Sequence, residues 1–367
     1  MDRASPAGQA AGVGDRLPRL RSLLGDIGPG EVLRAWFSRL TRRSQRASAP
    51  PVHPGDFADP FVLRVDGSYF AYATQAGGHD VQVMRSSDLV AWEHLGNALG
   101  GLPAWAAAGR TWAPVVLPRA DGAVTCYVLY YVVREPTSDR QAISVARASS
   151  PAGPFVDTSA APIVFQLDRG GSIDPSPFVD QDGTAYLLWK SDDNALRRPS
   201  RLWIQALAED GLALTGHPTE LLAHDRAWER PLVEAPSMVR VGRRYYLFYS
   251  ANWWESARYS VGYAIAPSAT GPFRKVTRAR PWFRSGGEAG GPGGQEFFTA
   301  ADGALHMAYH GWTPDSVGYG GGGARSLRIA RVGFVGGRPW VRRGSEARRS
   351  LPPERVPPGG TGDAPQD

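Results

Sequence analysis

Five times along this chain a short proline-containing step leads into a strand-like run, and the spacing of those steps restricts the fold more than any single residue does. In three of them the step carries a carboxylate: Asp59 in ADPFVL, Asp174 in SIDPSPF and Glu234 in VEAPSMV. The other two are Trp112-Ala113-Pro114-Val115 and Gly291-Pro292-Gly293-Gly294. A turn follows each, at Asp66-Gly67, Asp121-Gly122, Asp182-Gly183, Gly242 and Asp302-Gly303, and then an aromatic-rich strand. Those strands read YFAYAT, CYVLYYVV, AYLLWKS, YYLFYSAN and LHMAYHGW.

Taken at Asp59, Trp112, Asp174, Glu234 and Gly291, the steps recur roughly every 50–60 residues, slightly above the period usual for four-stranded propeller blades. The expected fold class is all-β, a five-bladed β-propeller with an N-terminal basic extension. A propeller lines its central channel with the first strand of every blade, so equivalent positions meet on one axis. Three acids at one station then face one another. Read singly, each is a turn carboxylate beside a proline. In phase with the repeat and ahead of nearly apolar strands, the three together point to a site. No stretch between about Asp56 and Val341 keeps a helical period. Apolar runs such as YVLYYVV fall far short of the roughly 20 residues a membrane span needs, and read as buried strands.

The stretches DFADPFVLRVDGSYFAYAT, SSDLVAWEHLGNAL, RTWAPVV, SIDPSPFVDQDGTAYLLWKSD, VEAPSMVRVGRRYYLFYSANWW and GPGGQEFFTAADGALHMAYHGW, in that order, resemble the blade motifs of glycoside hydrolase family 43. The resemblance covers roughly residues 53–341. It implies a five-bladed propeller acting as an arabinanase, an α-L-arabinofuranosidase or a β-xylosidase. It also implies Asp59 as general base, Glu234 as general acid and Asp174 as the acid that tunes and orients its neighbour. Inverting glycoside hydrolysis needs such a set: one protonated carboxyl for the leaving oxygen and one carboxylate to activate water, roughly 6.5–9.5 Å apart. Asp174 is expected to keep the proton on Glu234 by disfavouring a second charge. Asp59 must stay ionised, which calls for donors the sequence does not identify.

Sugars present hydroxyls and apolar faces, so a cleft combines polar groups with aromatic surfaces. Trp112, Trp253, Trp254 and Trp312 are the candidate sugar contacts, set against the alternative that most of the twelve tryptophans pack between blades. Arg325 in GGARSLRIARV resembles an arginine that reaches the substrate in some family members; a structural arginine is the alternative. Many members read Gly-Pro-Gly-His in the fifth blade, the histidine lying beside a metal ion or ordered water on the axis. Here the stretch is GPGGQ, with Gly294 in that place, so no required metal and no cofactor are expected. Gln295, His306 and His310 are the residues that could compensate.

Composition bounds the rest. The single cysteine, Cys126, excludes an intrachain disulfide and is expected to pack in a strand. Residues 1–48 and 325–367 each hold nine arginines against four acids, so the two ends contribute +5 each, more than the net charge of +6, and leave the remainder of the propeller mildly acidic at −4. That distribution suits a neutral carbohydrate and offers no groove for nucleic acid. Three segments result: a basic extension over 1–48, a catalytic propeller over 49–344 and a disordered tail over 345–367. The extension lacks the apolar core of a secretory signal, so the protein reads as cytoplasmic, or as secreted if the start is mis-assigned. Within it EVLRAWFSRLTRRSQR fits a basic amphipathic helix with Val32, Leu33, Trp36, Phe37 and Leu40 on one face. A loosely held extension is expected, with docking on the propeller or contact with a membrane surface as alternatives. The chain carries no signal of oligomeric state.

The expected activity is inverting release of arabinose or xylose from plant-type saccharides, with arabinose favoured by the character of the motifs. One alternative is a catalytically silent carbohydrate-binding propeller. The other is a related fructan-cleaving enzyme of retaining type, which Ala58-Asp59-Pro60-Phe61 disfavours because such enzymes carry an Asn-Asp-Pro-Asn-Gly segment there.

Overall fold

The computed structural model describes residues 50–122, 124–287 and 289–342. The basic extension and the tail set apart by the sequence lie outside these residues. Five antiparallel sheets follow one another along the chain as the blades of a propeller. The first holds β1 (Phe61–Val65), β2 (Ser68–Ala73), β3 (Gln82–Ser86) and β4 (Glu93–Asn97). The second holds β5 (Ala107–Asp121), β6 (Val124–Glu135) and β7 (Arg140–Ala148). The third holds β8 (Ser172–Val179), β9 (Ala185–Ser191), β10 (Arg201–Leu207) and β11 (Leu214–Ala223). The fourth holds β12 (Val233–Val241), β13 (Arg244–Ala251), β14 (Ser260–Ala266) and β15 (Arg274–Lys275). The fifth holds β16 (Gly290–Thr299), β17 (Leu305–Trp312), β18 (Arg325–Val335) and β19 (Arg338–Arg342).

The aromatic-rich runs are the second strands, β2, β6, β9, β13 and β17. A blade lies between two others, so its middle strands bury both faces and read as continuous apolar runs instead of alternating. Residues 126–133 of β6, including the free Cys126, are all buried. The core is accordingly a ring of seams. Tyr72, Tyr130 and Trp189 belong to the cluster joining the first three blades, Leu188 and Leu247 to the next, Phe248 and Tyr309 to the next. Phe57, Tyr69 and Leu327 close the ring between the fifth blade and the first. The closure is also hydrogen-bonded: Val52 N–H donates to the Leu327 carbonyl and Phe57 N–H to that of Arg325, both at 2.9 Å.

The first strands carry the feature that positions the site. Their register with the second strand breaks between Trp112 and Val115, Ile173 and Ser176, Glu234 and Ser237, and Gly293 and Glu296. One residue at each break has a left-handed φ: Ala113 at 44°, Asp174 at 55°, Ala235 at 47° and Gly294 at 59°. In the first blade Asp59, at 50°, stands just ahead of β1. Bulges of this kind re-aim side chains and gather next to active sites. Left-handed backbone at a non-glycine residue costs about 1–3 kcal/mol and persists where the surroundings over-determine it. The repeat therefore runs through Asp59, Ala113, Asp174, Ala235 and Gly294. This corrects the sequence register in three places. Glu234 and Trp112 precede the left-handed residue, whereas Asp59 and Asp174 are that residue. The step of the fifth blade is Gly294-Gln295; Gly291-Pro292 supplied a proline three residues too early.

Candidate active site

The second strands explain how the acids are held. Opposite each register break stands one residue of the second strand: Val132 against Trp112, Lys190 against Ile173, Ser250 against Glu234 and His310 against Gly293. Thr74, just past β2, donates its N–H to the Ala58 carbonyl at 3.0 Å in the matching place. Each polar member of this set reaches the first strand of the next blade. Thr74 Oγ1 accepts the Ala113 N–H at 3.0 Å, and Lys190 Nζ donates to Glu234 Oε2 at 3.2 Å. Ser250 Oγ accepts the Gly294 N–H at 2.9 Å and donates to Gln295 Oε1 at 2.7 Å. His310 Nδ1 accepts the Asp59 N–H at 3.1 Å and lies 3.3 Å from Asp59 Oδ1.

Asp59 thus has the donors its sequence context left unnamed. Thr74 Oγ1 donates to Oδ2 at 2.7 Å, and the Arg325 guanidinium lies 3.4 Å from the same oxygen. Burial alone pushes the carboxyl up, but the Arg325 charge and the Thr74 hydroxyl outweigh it and hold Asp59 well below the usual carboxylate range. Asp59 is ionised at neutral pH.

Asp174 and Glu234 form the opposite environment. Glu234 Oε1 accepts the Tyr259 hydroxyl at 2.7 Å while Oε2 accepts Lys190. Asp174 Oδ2 accepts the Ala235 N–H at 2.9 Å, and the second strand of the blade before it supplies Val132, which has no donor. Burial, followed by the charge of Glu234, pushes Asp174 up to about 8. The repulsion expected between the two acids is present, and it is Asp174 that it raises.

The aromatic candidates separate. Trp312 is fully buried, and its Nε1 donates to the Trp254 carbonyl at 2.9 Å. That corrects the expectation of a sugar contact: Trp312 supports Trp254 from beneath, with ring centroids 6.2 Å apart. Trp254 is half-buried under the Arg325 guanidinium, which lies 4.9 Å from its ring centroid and 5.6 Å from that of Tyr319. The Tyr319 hydroxyl accepts from Arg325 Nε at 3.1 Å and bonds Asp56. Arg325 is therefore clamped between two rings and aimed at Asp59. Trp253, 45% exposed, offers an open face, and Trp112 is half-buried. Sequence reasoning missed Lys190, Tyr259, Thr74 and Tyr319, although a lysine closing the apolar run AYLLWK was a visible signal.

The axial histidine implied by the resemblance does not fit at position 294. A Cβ on Gly294 would stand 2.6 Å from His310 Nδ1 and 3.0 Å from Asp59 Oδ1. The imidazole of His310 fills that space from β17 and lies parallel to Tyr259, 5.8 Å between centroids. Gln295 is held by Ser250 and by the Ala235 carbonyl, which accepts its Nε2 at 2.8 Å. His306 stacks on Phe298 and takes no part. Among the described residues, no group of three or more His, Cys, Asp or Glu could hold a metal ion.

Two residues beyond the left-handed station the channel holds Ser176, Ser237 and Glu296. Ser237 Oγ donates to Glu296 Oε2 at 2.7 Å, and burial pushes Glu296 up to about 8. Asp174 and Glu296 therefore titrate in the folded protein well above the value of about 4 they have unfolded. Protons bound by the folded form favour it, so this stability is complete below about pH 4 and is lost as pH rises through about 8. The melting temperature is expected to fall from pH 6 to pH 9, and Glu296→Gln, which mimics the protonated acid, is expected to flatten the decline. Equal slopes for the two proteins in calorimetry at several pH values would refute this.

Comparison with known proteins gives the site its context. The family model described as Glycosyl hydrolases family 43 matches residues 48–339. The chain is 28% identical over 286 residues to the β-D-galactofuranosidase xynD of Aspergillus niger, covering 74% of this chain and 78% of that protein. It is 27% identical over 313 residues to a probable arabinan endo-1,5-α-L-arabinosidase B of Aspergillus fumigatus, covering 71% and 80%. The crystal structure of a thermostable family-43 glycoside hydrolase superposes with a TM-score of 0.71 at 30% identity, covering 83% of this chain and 98% of the other. With a five-bladed propeller, three acids on its axis and a family match along nearly the whole of it, the chain belongs to glycosyl hydrolases family 43 and is a glycosidase acting on O-glycosyl bonds.

Proposed function

We propose that the protein is an inverting hydrolase of arabinofuranosides or xylosides, with Asp59 activating water, Glu234 protonating the leaving oxygen and Asp174 tuning and orienting Glu234. The observation that carries this reading is the division of the carboxyls by environment. Asp59 is kept ionised by Arg325 and Thr74, while burial and the neighbouring charge of Glu234 push Asp174 up to about 8. Acidic groups pushed in opposite directions are what a general base and a general acid require at one pH. Asp174 lies beside Glu234, and the same burial and repulsion that raise it disfavour a second negative charge at the acid. A sugar seated over Trp253, with its reacting carbon between Asp59 and Glu234, would place water and leaving group on opposite sides.

The relatives named above act on arabinan and on galactofuranosides, which supports a five-membered sugar ring; arabinofuranose is favoured. The test is sugar release from arabinan, arabinoxylan and the 4-nitrophenyl arabinofuranoside, galactofuranoside and xyloside. Proton NMR of the first-formed sugar reads the anomer. Inversion is expected, because water must fit between base and acid. Retention would replace this mechanism, and no release from any substrate by folded protein would favour a binding-only propeller. Since His310 closes position 294, hydrolysis is expected to survive exhaustive treatment with a chelator. Loss of activity restored by calcium alone would refute that.

A further inference from the structure

A lysine buried at the acid is the least expected feature of the site. Lys190 is 1% exposed, at the end of an otherwise apolar strand, with Nζ 3.2 Å from Glu234 Oε2 and 3.0 Å from Asp192 Oδ1. An unpaired ammonium there would be prohibitively costly, and the two carboxylates repay it. Burial pushes Lys190 down, but Asp192 and Glu234 more than offset this, so it stays charged. An ammonium touching a general acid works against keeping a proton on it. It favours the carboxylate left behind once the proton has gone to the leaving oxygen.

We propose that Lys190 is a positioning residue that makes Glu234 a stronger acid and, by dividing its charge between Glu234 and Asp192, sets the upper pH limit of hydrolysis. This rests on the reading of Glu234 as the acid. The other groups around Glu234 do not supply that charge. Asp174 on β8 is an acid, Tyr259 ahead of β14 donates a neutral hydrogen bond, and Arg325 and His310 are committed to Asp59. The blade repeat also assigns the task to this place, since the same register position delivers His310 to Asp59.

Full-length Lys190→Met and Asp192→Asn enzymes test the inference through pH profiles of kcat/KM. Two substrates serve: phenyl α-L-arabinofuranoside, whose departure needs a proton, and the dinitrophenyl analogue, whose departure does not. With the phenyl substrate, Lys190→Met is expected to move the alkaline limb up by about one to three pH units. Asp192→Asn leaves the whole ammonium to Glu234 and removes a negative neighbour, so the limb is expected to move down. With the dinitrophenyl substrate neither limb moves. Shifts of the same sign, no shift, or equal shifts on both substrates would overturn the proposal. Asp192 is partly exposed, so its variant decides alone if Lys190→Met does not fold. Glu234→Gln run in parallel separates the two levels: full activity there removes the acid reading itself, whereas loss there with unmoved limbs removes only the role of Lys190.

Discussion

Glu234→Gln is expected to slow hydrolysis of arabinan or of the phenyl glycoside by about 10²–10⁴-fold, the usual contribution of general acid catalysis. Hydrolysis of a dinitrophenyl glycoside should fall far less, because that leaving group departs without a proton. The amide keeps the shape of the side chain and still meets Tyr259 and Lys190, with one hydrogen bond mismatched at a cost of about 1–3 kcal/mol. A modest fall in melting temperature is therefore expected, separable from the kinetic loss by circular dichroism. Asp59→Asn gives the contrasting pattern. Activation of water is needed whatever leaves, so both substrates should lose a similar factor of about 10²–10⁴. The two ratios together assign acid and base independently of any structure. Equal losses on both substrates for Glu234→Gln would take the acid role away from it.

The parts of this molecule legible in its sequence were those written in single strands. The aromatic second strands announce themselves because both faces are buried, and the turns because aspartate and glycine mark them. The three acids were found through the repeat, although its register was set by prolines and slipped at Gly291-Pro292. What could not be read was the pairing between neighbouring blades. Thr74, Lys190, Ser250 and His310 occupy one place in their strands, yet their chemistry differs and each serves the following blade. That relation is fixed by the register across the bulge, which no local pattern encodes. Trp312 shows the same limit from the other side: leaving the end of a strand does not tell a ring whether it will face a sugar or be covered by Trp254.

Gly294→Ala is expected to reduce hydrolysis by about 10²-fold while lowering stability by about 1–3 kcal/mol. The added methyl meets His310 Nδ1 at 2.6 Å, His310 Cε1 at 2.7 Å and Asp59 Oδ1 at 3.0 Å, all inside normal contact. The backbone at 294 has φ +59°, a conformation that itself costs an alanine about 1–2 kcal/mol. His310 cannot retreat easily, since its ring lies flat on Tyr259, and Tyr259 is bonded to Glu234. Strain from one methyl would therefore reach the base directly and the acid through the stacked pair, and a displacement of about 1 Å at either is enough for the expected loss. Because both groups move, the loss should fall on activated and unactivated substrates alike, unlike that of Glu234→Gln. His310→Ala in the Gly294→Ala background makes room for the methyl and should restore part of the stability. It should restore little activity, because the Asp59 N–H then loses its imidazole acceptor. A double variant as active as the wild type would show that His310 only fills space, and that Asp59 is held by Thr74 and Arg325 alone.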